Sequence, residues 1–505
     1  MGLLREIVFA SYFGTTAAAS AFTIAFLVPN FVAQLFANAA LGAAFVPVFT
    51  DLLQRERRQE AFRLASTLFW IMLLGLSAIT AFFILSAGLI MPLFVGPQLH
   101  ATALTVGLSQ VLFPVVLLLG LTGLLLAILQ SYDRFSVQAI TPVIWNAVIL
   151  ILLVVLHPLF HGENGIYAFA IGVLVATGLQ LLLALGALAR INFRLQLHVD
   201  WRDPRVRHVF ALMLPATVGL GIVNLDQLIN SAFGTLVSSE APRAIEYAFR
   251  VYMLPQGMFS VAVATILFPI MSRMASRRDV ASMRRTIGTG VRQINLLLVP
   301  AAVFLLVLTE PVVRLLFERG QFNSASTNSV SIALFWFAFS LPFGGVNLLL
   351  TRAFFAVKRP WIPTSLAAVN MAVDIVVSLS LYKPLGIAGL VIGTFAANVV
   401  MTALQLRRLR AGFNGRLEGA KTTMITARIC VASALLAGVS YAVWYVLDAL
   451  LGHSLTAQIV SVAAAGIAGV AVYVRAVLAM RVPEAHQVHR LIVAQLGRVR
   501  GPLGA

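Results

Sequence analysis

The sequence predicts an all-α polytopic membrane protein: two six-helix bundles in a parallel pseudo-twofold repeat, followed by two further helices. Three observations predict it. The 505-residue chain is 60% hydrophobic and only 11% charged. Its basic residues fall in alternate gaps between long apolar runs. Finally, the two halves of the chain repeat each other's landmarks at a nearly constant offset.

Crossing ~30 Å of hydrocarbon as a helix takes about 20 apolar residues. Thirteen runs reach that length, near 20–46, 64–93, 102–130, 136–157, 165–189, 208–236, 244–272, 286–309, 328–355, 362–382, 386–406, 424–447 and 455–479. None alternates polar with apolar residues, which excludes a strand barrel. The stretch Met1 to Gly14 is apolar, carries Arg5 and spans only ~21 Å as a helix. It reads as the end of a first transmembrane helix whose beginning lies upstream.

Charge orients these spans. Gaps around Arg55–Arg63, Arg134, Arg190–Arg207, Arg273–Arg285, Arg352–Arg359 and Arg407–Lys421, with the tail Arg475–Arg500, hold twenty-eight basic residues. The intervening gaps hold four, Arg243, Arg314, Arg319 and Lys383. Basic loops are retained on the cytoplasmic side, so the expected location is a bacterial inner membrane with a cytoplasmic C-terminus. A formal net charge of +18 then belongs to topology and to anionic headgroups, not to nucleic acid. The single Cys430 excludes an internal disulfide and a cysteine metal cluster.

The repeat is read from three matches. Pro47-Val48-Phe49 with Arg55 and Arg63 recurs 222 residues on as Pro269-Ile270-Met271 with Arg277 and Arg285. Arg134 with Asn146 recurs 224 on as Lys358 with Asn370, and Gly165-Ile166 recurs 221 on as Gly386-Ile387. Equivalent loops are basic in both copies, so the copies share one orientation. The expected division is an N-terminal lobe, 1–195, a second lobe, 196–415, two additional helices, 416–480, and a basic tail, 481–505. Parallel repeats of this kind suit alternating access around a midplane site. A channel would need a filter or charged rings, and neither is visible.

An ionisable group at membrane depth costs ~2.5–3.5 kcal/mol on insertion scales, so each is a candidate site. Arg250 pairs with Glu246 one turn earlier, and its guanidinium also suits phosphate oxygens. Arg5 with Glu6 offers a second such cation. Asp226 lies mid-helix without a local cation, and Asn370 and Asp374 share one helical face. With Thr394 they supply oxygen ligands for a hard cation; polar helix contacts or a proton relay fit the same residues. His157, His161 and His453 stand in outside gaps and read as solvated. Segment 482–500 reads as an interfacial amphipathic helix. No nucleophile–base pair or phosphate-binding glycine loop occurs in an aqueous segment, so no enzyme is expected.

Several motifs resemble one family. Gly2-Leu3-Leu4-Arg5-Glu6, Phe26-Leu27-Val28-Pro29-Asn30 and Ala44-Phe45-Val46-Pro47 resemble the opening of the MurJ (MviN) lipid II flippases, within the multidrug/oligosaccharidyl-lipid/polysaccharide exporter superfamily. Tyr247 to Pro255, Phe317 to Phe322 and Arg352 to Ala356 also follow that pattern, and the likeness runs through essentially the whole chain. The resemblance implies fourteen helices, a cationic central cavity and a C-terminal groove for the lipid tail. It implies translocation of undecaprenyl-pyrophosphate-linked peptidoglycan precursor, with membrane lipids and cell-wall synthesis proteins as further partners. Arg5 and Arg250 match cavity arginines that contact the pyrophosphate. Asp226, Asn370, Asp374 and Thr394, with the Leu390 carbonyl, match a sodium site, and no other cofactor is implied. Ser20, Ala33, Gln34 and Asn38 depart from the charged residues usual in the family. That departure leaves room for another lipid-linked substrate or for a non-transporting scaffold.

Overall fold

A computed structural model describes the chain apart from Ala37, Asn192, Arg194, His198, 414–417 and 487–505, and apart from the helical side chains of 35–44, 212, 214–216, 218–220, 222–224 and 226. Asn38 and most of the expected tail helix at 482–500 therefore lie outside the described residues. All regular structure among the described residues is helical, and it groups into two compact units.

The first unit comprises Met1–Arg243 with Arg319–Phe322. Its helices are α1 (Gly2–Phe13), α2 (Ala17–Phe36), α3 (Asn38–Gln54), α4 (Arg58–Ile90), α5 (Thr102–Leu112), α6 (Pro114–Ser131), α7 (Ser136–Leu156), α8 (Ile166–Ala189) and α9 (Pro204–Val237). The run expected over 20–46 falls within α2 and α3, with Ala37 between them outside the described residues. Residues 120–129 of α6 are buried without interruption, because this helix packs on α2, α3, α4 and α8. Apolar side chains all round make a central helix. The strand-free linker before α9 is pinned to α4: Gln196 N–H donates to Ser66 Oγ at 2.9 Å, and Trp70 Nε1 donates to the Gln196 carbonyl at 2.9 Å. Asp203 then caps α9 by accepting the Arg205 N–H at 2.8 Å, with Pro204 at the first helical position. His157 is not simply solvated, since its ring packs edge-on against Tyr12, 4.7 Å between centroids, and against Phe13.

The second unit comprises Ala244–Glu318 and Asn323–Ala505. Its chain enters along α10 (Ala241–Pro255), passes a π-helical turn, Gln256–Ser260, and continues as α11 (Val261–Ser276), α12 (Val280–Val307), α13 (Thr309–Phe317), α14 (Ser324–Ala356), α15 (Trp361–Leu385), α16 (Ile387–Gly412), α17 (Gly419–Leu451) and α18 (Leu455–Ala479). A π-turn directly after Pro255 follows from the missing proline N–H, which breaks the regular ladder. Asp279 and Asn323 cap α12 and α14 through the Ser282 and Ser326 N–H groups. The partner scheme of the first unit recurs here. Helix α14 packs on α11, α12 and α16 as α6 does on α3, α4 and α8, and α15 pairs with α16 as α7 does with α8.

Helices α17 and α18 form a hairpin against α12, with Leu296, Val299, Ile429, Leu436, Tyr473 and Val477 in the seam. Small residues bring the pair close: Ser440 Oγ donates to the Ala465 carbonyl at 2.9 Å, beside Gly469. The seam ends in a buried ionic clasp, where Arg292 of α12 bonds Glu484 and, at 3.0 Å, Glu418.

Among the described residues, twelve helical stretches are long and apolar enough to cross a membrane. The thirteenth expected run, 208–236, lies within α9, whose side chains are largely outside the described set. Leu74, Phe82, Leu85 and Leu89 stand exposed along α4. Apolar surface of that extent is costly in water and natural against lipid.

Candidate functional site

In the second unit the candidate site is built around the α15–α16 turn. Gly386, at φ 56°, ends α15 by donating its N–H to the Tyr382 carbonyl at 2.9 Å, and α16 starts at once. A left-handed residue there calls for glycine. The tight reversal sets the first turns of α16 beside the last turns of α15. Asp374, only 1% exposed, accepts from Thr394 Oγ1 at 3.3 Å through Oδ2. Ser378 Oγ lies 3.0 Å from Asp374 Oδ1 and 3.2 Å from the Leu390 carbonyl oxygen. Closeness is possible because residue 393 is glycine: a Cβ there would stand 2.1 Å from Ser378 Oγ and 2.5 Å from Asp374 Oδ1.

Asp374, Thr394 and the Leu390 carbonyl thus come together, and Ser378 joins them. Asn370 sits one turn before Asp374, half-buried. The side chain of Asp226 lies outside the described residues. Sequence reasoning missed Ser378, although it continues the Asn370–Asp374 spacing by one more turn. The set is all oxygen: a carboxylate, two hydroxyls and a carbonyl, the donor chemistry of a hard cation such as sodium. Ser378 has one proton and two neighbouring acceptors, so it donates to only one of them at a time.

In the first unit, Arg5 is drawn into a buried triad. Its Nη2 lies 2.6 Å from Glu6 Oε1, and Arg243 Nη2 lies 2.5 Å from Glu6 Oε2. Glu6 and Arg243 are each 4% exposed. Arg5 also stacks 4.9 Å from the Trp145 ring, and Arg243 lies 4.0 Å over Phe9. Both guanidiniums bond the same carboxylate. Arg243 had been counted with the sparse outside loops, and the structure buries it. A single arginine beside Glu240 in a short gap is the signal the sequence offers.

Arg250, on α10, makes the expected i,i+4 pair with Glu246, 2.6 Å from Nη2 to Oε1. Its side chain is 46% exposed, whereas Glu246 is 13% exposed. Of the positions where the resemblance implies charge, Ser20 and Ala33 are buried at 0% and 1% exposure, and Gln34, the alternative to Ala33, is exposed.

The family model described as "Lipid II flippase MurJ" matches residues 9–461. The chain belongs to the MurJ family. A probable MurJ lipid II flippase of Rhizobium meliloti is 30% identical over 415 residues, covering 80% of this chain and 76% of its own. Another, from Treponema pallidum, is 29% identical over 411 residues, covering 80% and 77%. Among solved structures, a lipid II flippase MurJ in an inward-closed conformation superposes with a TM-score of 0.77 at 21% identity, covering 94% of this chain and 97% of its own. An inward-facing multidrug transporter of the MATE family has a TM-score of 0.70 at 14% identity, covering 82% and 94%. MurJ proteins are multi-pass bacterial inner-membrane transporters, and the twelve spans here agree.

Proposed function

We propose that the chain moves lipid II, the undecaprenyl-pyrophosphate-linked peptidoglycan precursor, from the inner to the outer leaflet by alternating access. The observation that carries this reading is the match to the MurJ lipid II flippase family over residues 9–461, with the guanidiniums of Arg5, Arg243 and Arg250 as groups for an anionic headgroup. Guanidinium pairs with phosphate oxygens bidentately. Relatives carry the same activity in their names. In this reading 1–195 and 196–415 are the two repeated lobes, the recurring partner scheme around α6 and α14 supports the repeat, and the C-terminus is cytoplasmic. Sodium at Asp374, Ser378, Thr394 and the Leu390 carbonyl, with Asp226 and Asn370 as the remaining expected ligands, biases one state of the cycle. The chain's own groups supply the carboxylate and hydroxyls that hold the ion and the guanidiniums that meet the pyrophosphate.

Neutral Ser20 and neutral Ala33 or Gln34, where the family's charges are expected, favour a second reading, a different lipid-linked oligosaccharide as substrate. Complementation separates the two. In a host depleted of its own lipid II flippase, the chain restores growth and Arg250→Ala does not. Well-inserted protein that fails to rescue, while binding another polyprenyl-pyrophosphate lipid, would establish the second reading instead.

A further inference from the structure

Three helices of the second unit, α15, α16 and α14, are joined by one hydrogen-bonded line that starts at Asp374, and α10 lies against its far end. Thr394, whose hydroxyl donates to Asp374, offers its backbone carbonyl to Asn398 Nδ2 at 3.1 Å. The same amide nitrogen donates to Ser340 Oγ of α14 at 2.9 Å. One turn beyond Ser340 on α14, the Tyr252 oxygen lies against Gly344, and Tyr252 is two residues beyond Arg250 on α10. A second strand of the network runs beside it. Asn347 Nδ2 donates to Asn398 Oδ1 at 3.0 Å, and Thr402 Oγ1 donates to Asn347 Oδ1 at 2.6 Å. Ser340 is fully buried, and Tyr252 and Asn347 are nearly so.

The line meets α14 where that helix is least able to hold one shape. Pro342, Gly344 and Gly345 interrupt its apolar sequence one turn beyond Ser340. Against these glycines lie Tyr252, Gln256 and Ser260: a Cβ on Gly344 would stand 2.5 Å from the Tyr252 oxygen, and one on Gly345 would stand 2.6 Å from Ser260 Oγ. Gln256 and Ser260 belong to the π-turn, so a proline-weakened segment on α10–α11 faces a proline- and glycine-weakened segment on α14. Such breaks absorb backbone change. Buried polar groups are also held to fixed partners, since an unmade bond costs ~1–3 kcal/mol. A change in the charge seen by Thr394 therefore has few ways to relax except along this line.

We propose that Asn398, Ser340 and Tyr252 are positioning residues that couple the occupancy of the Asp374 site to the setting of Arg250. This rests on the reading of Asp374 as the cation site and of Arg250 as a substrate cation. Cation binding draws Asp374 oxygens away from Thr394, the Thr394 turn shifts, and Asn398 carries the shift through Ser340 to the Tyr252 turn of α10. Linkage makes the effect reciprocal: bound lipid raises cation affinity by the factor by which the cation raises lipid affinity.

The test measures binding of undecaprenyl pyrophosphate to the full chain in nanodiscs, in sodium chloride and in choline chloride, with radioactive sodium binding measured in parallel. Unmodified protein shows tighter lipid binding in sodium, by about tenfold, within the ~5–150-fold usual for coupled sites. Tyr252→Phe and Ser340→Ala bind sodium alone as before but lose the sodium-linked gain to less than about twofold, and Ser340→Thr, which keeps the hydroxyl, restores it. Asp374→Asn loses both sodium binding and the gain. If Tyr252→Phe and Ser340→Ala keep the full gain while Asp374→Asn loses it, the coupling line is wrong and the cation site stands. If Asp374→Asn keeps the gain, the cation site fails and the coupling fails with it.

Discussion

Replacing Glu6 by glutamine is the most demanding test of the triad. The carboxylate bonds Arg5 at 2.6 Å and Arg243 at 2.5 Å, with side-chain exposures of 12% and 5% for the arginines and 5% for Glu6. At that burial solvent screening takes little away. Charge-assisted bonds contribute ~1.5–3 kcal/mol each, and removing one member of a buried ion pair costs ~3–5 kcal/mol because the remaining charge is stranded. Glu6→Gln removes the carboxylate that both arginines bond, so a loss of ~3–5 kcal/mol is expected. The assay is the midpoint of heat-induced aggregation of detergent-solubilised protein. Adding Arg243→Met to Glu6→Gln removes one of the two arginines while keeping apolar volume. The double variant is therefore more stable than Glu6→Gln alone, a strongly non-additive cycle. A double variant at or below the single one would refute the view that Glu6 is held there to balance both arginines.

Gly393→Ala forces a methyl within 2.1 Å of Ser378 Oγ and 2.5 Å of Asp374 Oδ1. Overpacking of this kind costs ~1–3 kcal/mol, and radioactive sodium binding falls with it; unchanged binding would detach the cation site from this packing. Arg292→Met leaves Glu418 and Glu484 facing each other without a cation. The thermal midpoint then falls as for ~3–5 kcal/mol, and Arg292→Met with Glu484→Gln recovers part of it. Asp279, at the exposed start of α12, accepts the Ser282 N–H, which holds its carboxyl below the ordinary 3.8. A depressed carboxyl stabilises the folded state above its unfolded value and loses that contribution as pH falls through the folded value. Asp279→Asn therefore lowers the midpoint at neutral pH and makes no difference at the acid end; a gap that persists in acid would contradict this origin.

The sequence alone determined the class of the protein and most of its spans. Both follow from free energies that accumulate along a segment: about twenty apolar residues partition into lipid whatever lies beside them, and arginine-rich loops stay on one side. It also marked Asp374 and Thr394, because a polar group in an apolar run is conspicuous without any neighbour. Arg5 and Arg250 were visible for the same reason. What only the tertiary structure decided is which polar groups meet. Ser378 looks like any small helix residue until Gly386 folds α16 back onto it. Arg243 reads as a loop cation until Glu6, 237 positions away, is placed against it. Arg292 with Glu484, 192 positions apart, behaves alike. Pairing depends on distance in space at a few ångströms, and a burial cost spread over an entire helix carries no record of it.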